Sequence, residues 1–254
     1  QVSEFAKVSL IIALAKYFEQ GKMSNQYTLK DLIIPALMTT ALGGLIVVQP
    51  DLGTTMMILF IFLVFVAAIE LERKTLIKLF TGGLMLAPTL WLFLKDYQKS
   101  RLLTLFNPEL DPLGAGYHSI QSKIAIGSGG FWGKGLLAGT QSRLNFLPEK
   151  HTDFIFSVFA EETGFFGVVI LLSLFLFVIL KGLNIAFRAA DRFGFFLSLG
   201  LVSSITFYVI FNVGMTIGLF PITGIPLPLL SYGGSSLITH FFAVGLLLNV
   251  EMRR

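Results

Sequence analysis

The chain has 254 residues, of which 54% are hydrophobic and only 13% charged, and its formal net charge is +4. Its mean hydropathy is +0.79. A soluble domain of this size keeps a large polar surface and carries roughly 25% charged residues, so the composition excludes a soluble globular protein. Cysteine is absent, which excludes a disulfide framework and a thiolate metal site.

Seven segments of the chain are predicted to cross a membrane. In chain order they are Ser3–Phe18, Leu32–Val48, Leu52–Ile69, Leu76–Leu94, a fifth that starts between Phe154 and Phe165 and ends near Leu180, Phe195–Leu219 and Ser236–Val250. Backbone groups in lipid must be hydrogen-bonded internally, and no segment alternates like a barrel strand, so we predict helices. The fold class is an all-α polytopic membrane protein, with residues 1–254 as a single integral-membrane domain. Because Gln1 comes first and no signal-peptide pattern is present, we expect the chain to lack its natural start.

The basic residues predict an orientation. Eleven Lys and Arg residues lie in the loops on one side of the predicted spans or at the span ends next to them, whereas the short loops 49–51 and 221–230 on the other side carry none. The positive-inside rule places the first set in the cytoplasm, as expected for a bacterial inner-membrane protein. Segment 95–152 is then a large extracytoplasmic loop. Its seven Lys and Arg residues do not change this, because long loops translocate largely regardless of charge.

Segment 95–152 is long for a simple connector. Eight glycines lie between residues 114 and 139. The stretch Gly127 to Gly135 loosely resembles a phosphate loop but lacks the dinucleotide and Walker spacings, and flexible re-entrant turns are the other interpretation. The segment also contains six cations that suit an anionic lipid headgroup or a pyrophosphate, although an ordinary solvated loop would carry them too. These cations are Lys99, Arg101, Lys123, Lys134, Arg143 and Lys150.

A polar cluster from Glu149 to Asp153 precedes the fifth predicted span. Thr152 or Asp153 would make a good helix N-cap. The alternative is that the Asp153 carboxylate is a general base at the membrane surface, beside cations. His151 is a second candidate base, and no other histidine lies at metal-ligand spacing from it.

Charged residues inside the predicted spans are functional hypotheses by default, because charge in lipid is costly. Glu4 and Lys7 are one helical turn apart and are predicted to neutralise each other. Asp51 is predicted to cap a helix. Glu161 and Glu162 have no obvious partner nearby in the sequence.

The segment Gly224–Ser236 reads GIPLPLLSYGGSS and carries no charge. Its prolines and glycines predict a break in a helix. Such a segment is expected to line a cavity or to re-enter the membrane.

Five stretches resemble, in wording and in order, the SEDS family (shape, elongation, division and sporulation), which polymerises peptidoglycan. They are QVSEFAK at 1–7, QPDLGT at 49–54, NPELDPLGAGYHSIQSKIAIGSGGFWGKG at 107–135, GTQSRLNFLPEKHTDFIFSVFAEETGFFG at 139–167 and GIPLPLLSYGGSS at 224–236. The outer loop resembles the elongation member more than the division member, and Val2 departs from the proline usual in the family. The family has about ten membrane helices, so the resemblance implies a C-terminal portion that lacks three of them.

The resemblance implies glycosyl transfer outside the cell membrane, from lipid II to a growing glycan. Asp153 matches the family's essential aspartate in the HTDF motif and is expected to be the general base, with Lys150 and Arg101 at the pyrophosphate. Further substrate-binding candidates are Glu4, Lys7, His151 and Gln121. A divalent cation, Mg²⁺ or Mn²⁺, is a candidate cofactor, but no metal-ligand set is predicted.

The resemblance also implies partners. These are a class B penicillin-binding protein, which is a transpeptidase, and other membrane proteins of the elongation machinery; no nucleic acid is expected. Two competing functions are a flippase for the lipid precursor and a scaffold that only recruits enzymes. A flippase would make no polymer, and a scaffold would tolerate changes at Asp153.

Overall fold

The computed structural model describes residues 1–21, 26–49, 51–93, 95–112, 114–143, 146, 147, 149 and 151–253. The helices are α1 Val2–Glu19, α2 Ile33–Val48, α3 Leu52–Ala67, α4 Arg73–Phe93, α5 Asp96–Phe106, α6 Ala115–Ser128, the single turn α7 Thr140–Arg143, α8 Ile155–Phe187, α9 Arg192–Thr216 and α10 Gly234–Met252. Short 3-10 turns at Leu29–Leu32 and Pro108–Leu110 join them. The all-α prediction is confirmed, because each predicted span coincides with a helix.

Within this described part, four helical segments are long and apolar enough to cross a membrane: Leu29–Val48, Ile155–Phe187, Arg192–Thr216 and Gly234–Met252. The helix Leu52–Ala67 is apolar but shorter. Segment 95–152, which has no long apolar run, folds into the short helices α5, α6 and α7. The chain is therefore a multi-pass membrane protein.

The residues cluster into two compact units. The first unit contains Gln1–Lys95, Gly182–Ser204 and Phe241–Arg254. The second contains Asp96–Lys181 and Ile205–His240. The single domain over residues 1–254 stays a prediction.

The first unit has an aromatic core. The ring of Phe18 lies 5.8 Å from that of Phe65 and 5.5 Å from that of Phe196. On α1, the buried Lys7 ammonium donates to the Glu4 carboxylate at 2.7 Å, which confirms the predicted pair. Asp51 caps α3 by accepting from the Thr54 amide at 2.9 Å, also as predicted.

The second unit is built around buried apolar side chains of α8, α9 and the segment that follows α9. Phe156 and Phe175 of α8 form one cluster with Val209 and Leu227. The prediction that Thr152 or Asp153 caps the N-terminus of α8 is wrong. The amide of Val158 donates to the carbonyl of Phe154, so Phe154 rather than Thr152 or Asp153 occupies the N-cap position. The Asp153 side chain is thus left for another role.

Helix α8 is interrupted at Gly164, whose φ of 68° and ψ of −167° are not helical. The interruption opens the helical hydrogen bonds that would join Phe165 to Glu161 and Phe166 to Glu162. The glycine-rich loop between α6 and α7 supplies hydrogen bonds in place of these two. The Phe165 and Phe166 amides donate to the Gly130 and Phe131 carbonyls at 2.9 and 3.2 Å. The Glu161 and Glu162 carbonyls accept from Lys134 and Gly135, each at 3.0 Å.

Glycine is required where the loop meets this break. A Cβ at Gly133, which has a φ of 76°, would collide with the carbonyl oxygen of Glu162. A Cβ at Gly129 would collide with the carbonyl oxygen of Ala160. The glycines predicted as either a phosphate loop or turns therefore allow close backbone packing against a broken membrane helix.

Candidate active site

Asp153 lies in the turn that leads into α8, and its backbone is held from two directions. The Asn212 side-chain amide on α9 donates to the Asp153 carbonyl at 2.9 Å. The Ser231 hydroxyl donates to the Thr152 carbonyl at 2.7 Å. The Tyr232 amide donates to the His151 carbonyl at 2.8 Å. Three successive carbonyls are thus fixed, which limits the positions open to the Asp153 carboxylate.

Asn212 also links Asp153 to the segment Gly224–Ser236. Its amide nitrogen donates a second hydrogen bond, to the Ile225 carbonyl at 2.7 Å, and the whole side chain is buried. Next to Ile225, Gly224 adopts a φ of 75°, and a Cβ there would lie 3.3 Å from Oδ2 of Asp153. The segment Gly224–Ser236 therefore begins in close contact with the Asp153 carboxylate. Its non-helical backbone, which the sequence predicted, allows this approach.

Burial raises the pKa of the half-buried Asp153 carboxyl above its usual range, and the nearby Glu149 charge raises it further. The Thr152 hydroxyl and the Arg101 guanidinium oppose this effect on the pKa. A carboxylate with a raised pKa is a stronger proton acceptor, which suits a general base.

A cavity of about 710 Å³ opens beside this turn. His151 and Ile155, which flank Asp153 in the sequence, line it together with the segment 229–234 and Leu237. Its walls are mostly apolar, with the Ser231 hydroxyl and backbone groups among them. An amphiphilic ligand could occupy this space, which borders the turn that carries Asp153.

Only some of the other predicted site residues lie near Asp153 or the cavity. Arg101 on α5 is close enough to Asp153 to affect its pKa. His151 lines the cavity, whereas Gln121 on α6 is half-buried without such a contact. Glu4 and Lys7 belong to the first unit, and Lys150 lies outside the described residues.

Glu161, for which the sequence suggested no partner, has a specific one. Its buried Oε1 accepts from the Lys134 ammonium at 2.7 Å, and from the Thr140 and Gln141 amides at 2.8 and 3.1 Å. The side chain of Glu161 is 0% exposed and that of Lys134 is 27% exposed. This cluster ties the glycine-rich loop and α7 to α8.

Sequence reasoning missed Asn212, Ser231 and the Lys134–Glu161 pair. A polar residue in an apolar helix is a signal that could have drawn attention to Asn212. Among the residues that the structure describes, no group of three or more His, Asp or Glu side chains is arranged to hold a metal ion. The divalent cation therefore stays a prediction.

Comparisons with known proteins agree with the resemblance found in the sequence. The family of FtsW, RodA and SpoVE cell cycle proteins matches residues 1–254. The peptidoglycan glycosyltransferase MrdB of Escherichia coli K12 is 43% identical over 257 residues, an alignment that covers 100% of this chain and 68% of MrdB. The peptidoglycan glycosyltransferase RodA of Treponema pallidum is 52% identical over 161 residues, which cover 63% of this chain and 37% of that protein.

Two solved structures share the fold. A peptidoglycan synthase complex described for its coordination of polymerization and crosslinking contains a chain with a TM-score of 0.81 and 35% identity. This match covers 100% of our chain and 70% of that chain. The rod shape determining protein RodA of Thermus thermophilus matches with a TM-score of 0.65 and 30% identity, over 100% of our chain and 66% of RodA.

Proposed function

Because the chain belongs to the FtsW, RodA and SpoVE family of cell cycle proteins, we propose that it is a peptidoglycan glycosyltransferase that polymerises lipid II during cell elongation. The observation that carries the proposal is the Asp153 carboxylate. The backbone of its turn is fixed by Asn212, Ser231 and Tyr232, its pKa is raised, and the turn borders a largely apolar cavity.

The proposed step is a displacement at the anomeric carbon of the lipid-linked donor sugar. The acceptor hydroxyl attacks this carbon, its proton passes to Asp153, and the bond to the pyrophosphate breaks. General-base catalysis of this kind typically contributes about 10²–10⁴-fold in rate. Arg101, and Lys150 by its place in the sequence, would stabilise the negative charge on the departing pyrophosphate.

Two further proposals concern the surroundings of the enzyme. We place segment 95–152 on the extracytoplasmic side of a bacterial inner membrane, because the short loops on the opposite side contain the basic residues. The transpeptidase partner is proposed by analogy with the solved peptidoglycan synthase complex. An impermeant thiol reagent should label a Glu109→Cys variant from outside the cell, and labelling only from the cytoplasm would overturn the orientation.

The function is tested with the purified full-length protein, its transpeptidase partner with the crosslinking site blocked, and labelled lipid II. We expect glycan polymer on a gel. Absence of polymer together with movement of lipid II across vesicle membranes would instead support the flippase.

A further inference from the structure

The loop between α6 and α7 exposes four large apolar side chains that the proposed reaction does not use. Phe131, Trp132, Leu136 and Leu137 are 74%, 81%, 81% and 76% exposed. The sequence between Gly130 and Gly139 contains one charged residue, Lys134. Its ammonium is paired with the buried carboxylate of Glu161. The loop therefore presents an apolar surface whose one charge is turned toward α8.

The depth of this loop in the membrane follows from α8. With its 33 residues, α8 is longer than the hydrocarbon core of a bilayer requires, which is about 30 Å thick and takes about 20 helical residues to cross. Within α8, one stretch of suitable length is free of charge: the 18 residues between Glu162 and Lys181, which correspond to about 27 Å at the helical rise. Because charged side chains avoid hydrocarbon, one boundary of the core lies at the helix break at Gly164.

The loop is fixed at that boundary. Its backbone is hydrogen-bonded to the amides of Phe165 and Phe166, the first residues after the break. The Phe131 ring lies 5.6 Å from that of Phe165, and the Trp132 ring lies 6.0 Å from that of Phe166. The four exposed side chains therefore lie where headgroups give way to acyl chains.

We propose that Phe131, Trp132, Leu136 and Leu137 form a wedge that inserts into the lipid leaflet nearest Asp153. Trp132 lies at the headgroup boundary, the level that tryptophan prefers in membrane proteins. The remaining side chains contact the upper acyl chains, as apolar residues of interfacial segments do. Part of the long loop between α4 and α8 is thereby anchored in the membrane beside the catalytic turn. The wedge is independent of the reaction that Asp153 performs.

The experiment uses tryptophan fluorescence of the full-length protein in phosphatidylcholine vesicles, with and without lipids brominated on the upper part of their acyl chains. The same measurement on Trp132→Phe isolates the Trp132 emission as a difference, so other tryptophans do not interfere. Phenylalanine keeps an aromatic ring against Phe166, and the position is exposed, so we expect the variant to fold as the wild type does. Its thermal midpoint checks this. The control is Glu109→Trp in the Trp132→Phe protein, which places a tryptophan at the exposed position of Glu109.

We expect the brominated lipid to remove most of the Trp132 emission, whereas aqueous iodide removes little of it. The Glu109→Trp control should show the reverse. Strong iodide quenching of Trp132 without quenching by brominated lipid would place the loop in water and overturn the proposal. Protection from both quenchers would show that protein covers the wedge, which also overturns it.

Discussion

Removing Lys134 from its ion pair with Glu161 should destabilise the protein more than removing the charge of Glu161. Replacing Lys134 by Met leaves the Glu161 carboxylate charged, with 0% of its side chain exposed. Its remaining donors are those of α7 and, at 3.5 Å, the Ser128 hydroxyl. Leaving such a charge uncompensated costs about 3–5 kcal/mol. Glu161→Gln is milder, because the Lys134 side chain is 27% exposed and keeps the Thr140 hydroxyl at 2.8 Å. The loss is then about 1.5–3 kcal/mol, the worth of hydrogen bonds to a charged group.

Thermal unfolding of the purified full-length protein in detergent measures this asymmetry. A loss of 3–5 kcal/mol corresponds to a midpoint lower by roughly 6–20 °C in a protein of this size. The double variant Lys134→Met with Glu161→Gln should unfold at a higher temperature than Lys134→Met alone, because the buried charge is gone. The control is Lys16→Met, which removes a pair of similar length whose side chains are 57% and 28% exposed; exposed pairs contribute about 0–1 kcal/mol. Equal losses for Lys134→Met and Glu161→Gln, or for Lys134→Met and Lys16→Met, would refute the reasoning.

Three further predictions follow from the same structure. Glu149→Gln should move the acidic limb of the polymerisation rate to lower pH and Arg101→Gln should move it to higher pH, because Glu149 raises the pKa of Asp153 and Arg101 lowers it; rate–pH profiles with unshifted limbs would contradict this. Gly133→Ala should lower the thermal midpoint more than Gly130→Ala. Both glycines have positive φ, but only at Gly133 would the added Cβ collide with a carbonyl oxygen. Equal midpoints would argue against close packing at the α8 break. Glu4→Gln combined with Lys7→Met should be less destabilising than either change alone, because the two buried groups neutralise each other; additive losses would reject the pairing.

The features that could be predicted from the sequence are those with a local signal. Long apolar runs marked the helices α2, α8, α9 and α10, since the hydrocarbon thickness sets a minimum length. The pairing of Glu4 with Lys7 followed from their spacing of one helical turn. The capping role of Asp51 followed from its place at a helix junction.

The rest depends on contacts between distant parts of the chain. Lys134 and Glu161 are 27 residues apart, and Asn212 is 59 residues from Asp153. No periodicity connects such pairs. The break at Gly164 was missed for a related reason: one glycine in an apolar helix is ordinary, and only the loop that replaces its hydrogen bonds makes the break stable. The predicted end of α8 near Leu180 was also early, because helical hydrogen bonding continues beyond the hydrocarbon, to Phe187.

The central claim, that Asp153 is the general base, is tested most directly by Asp153→Asn in the full-length protein. Asparagine preserves the size of the side chain and the backbone bonds from Asn212 but cannot accept the proton. Burial raises the pKa of Asp153, so its charge destabilises the fold at neutral pH, and the variant should be at least as stable as the wild type. We predict unchanged lipid II binding and a polymerisation rate lower by about 10²–10⁴-fold, measured as labelled glycan on a gel. A variant that binds lipid II and polymerises it at nearly the wild-type rate would contradict the account.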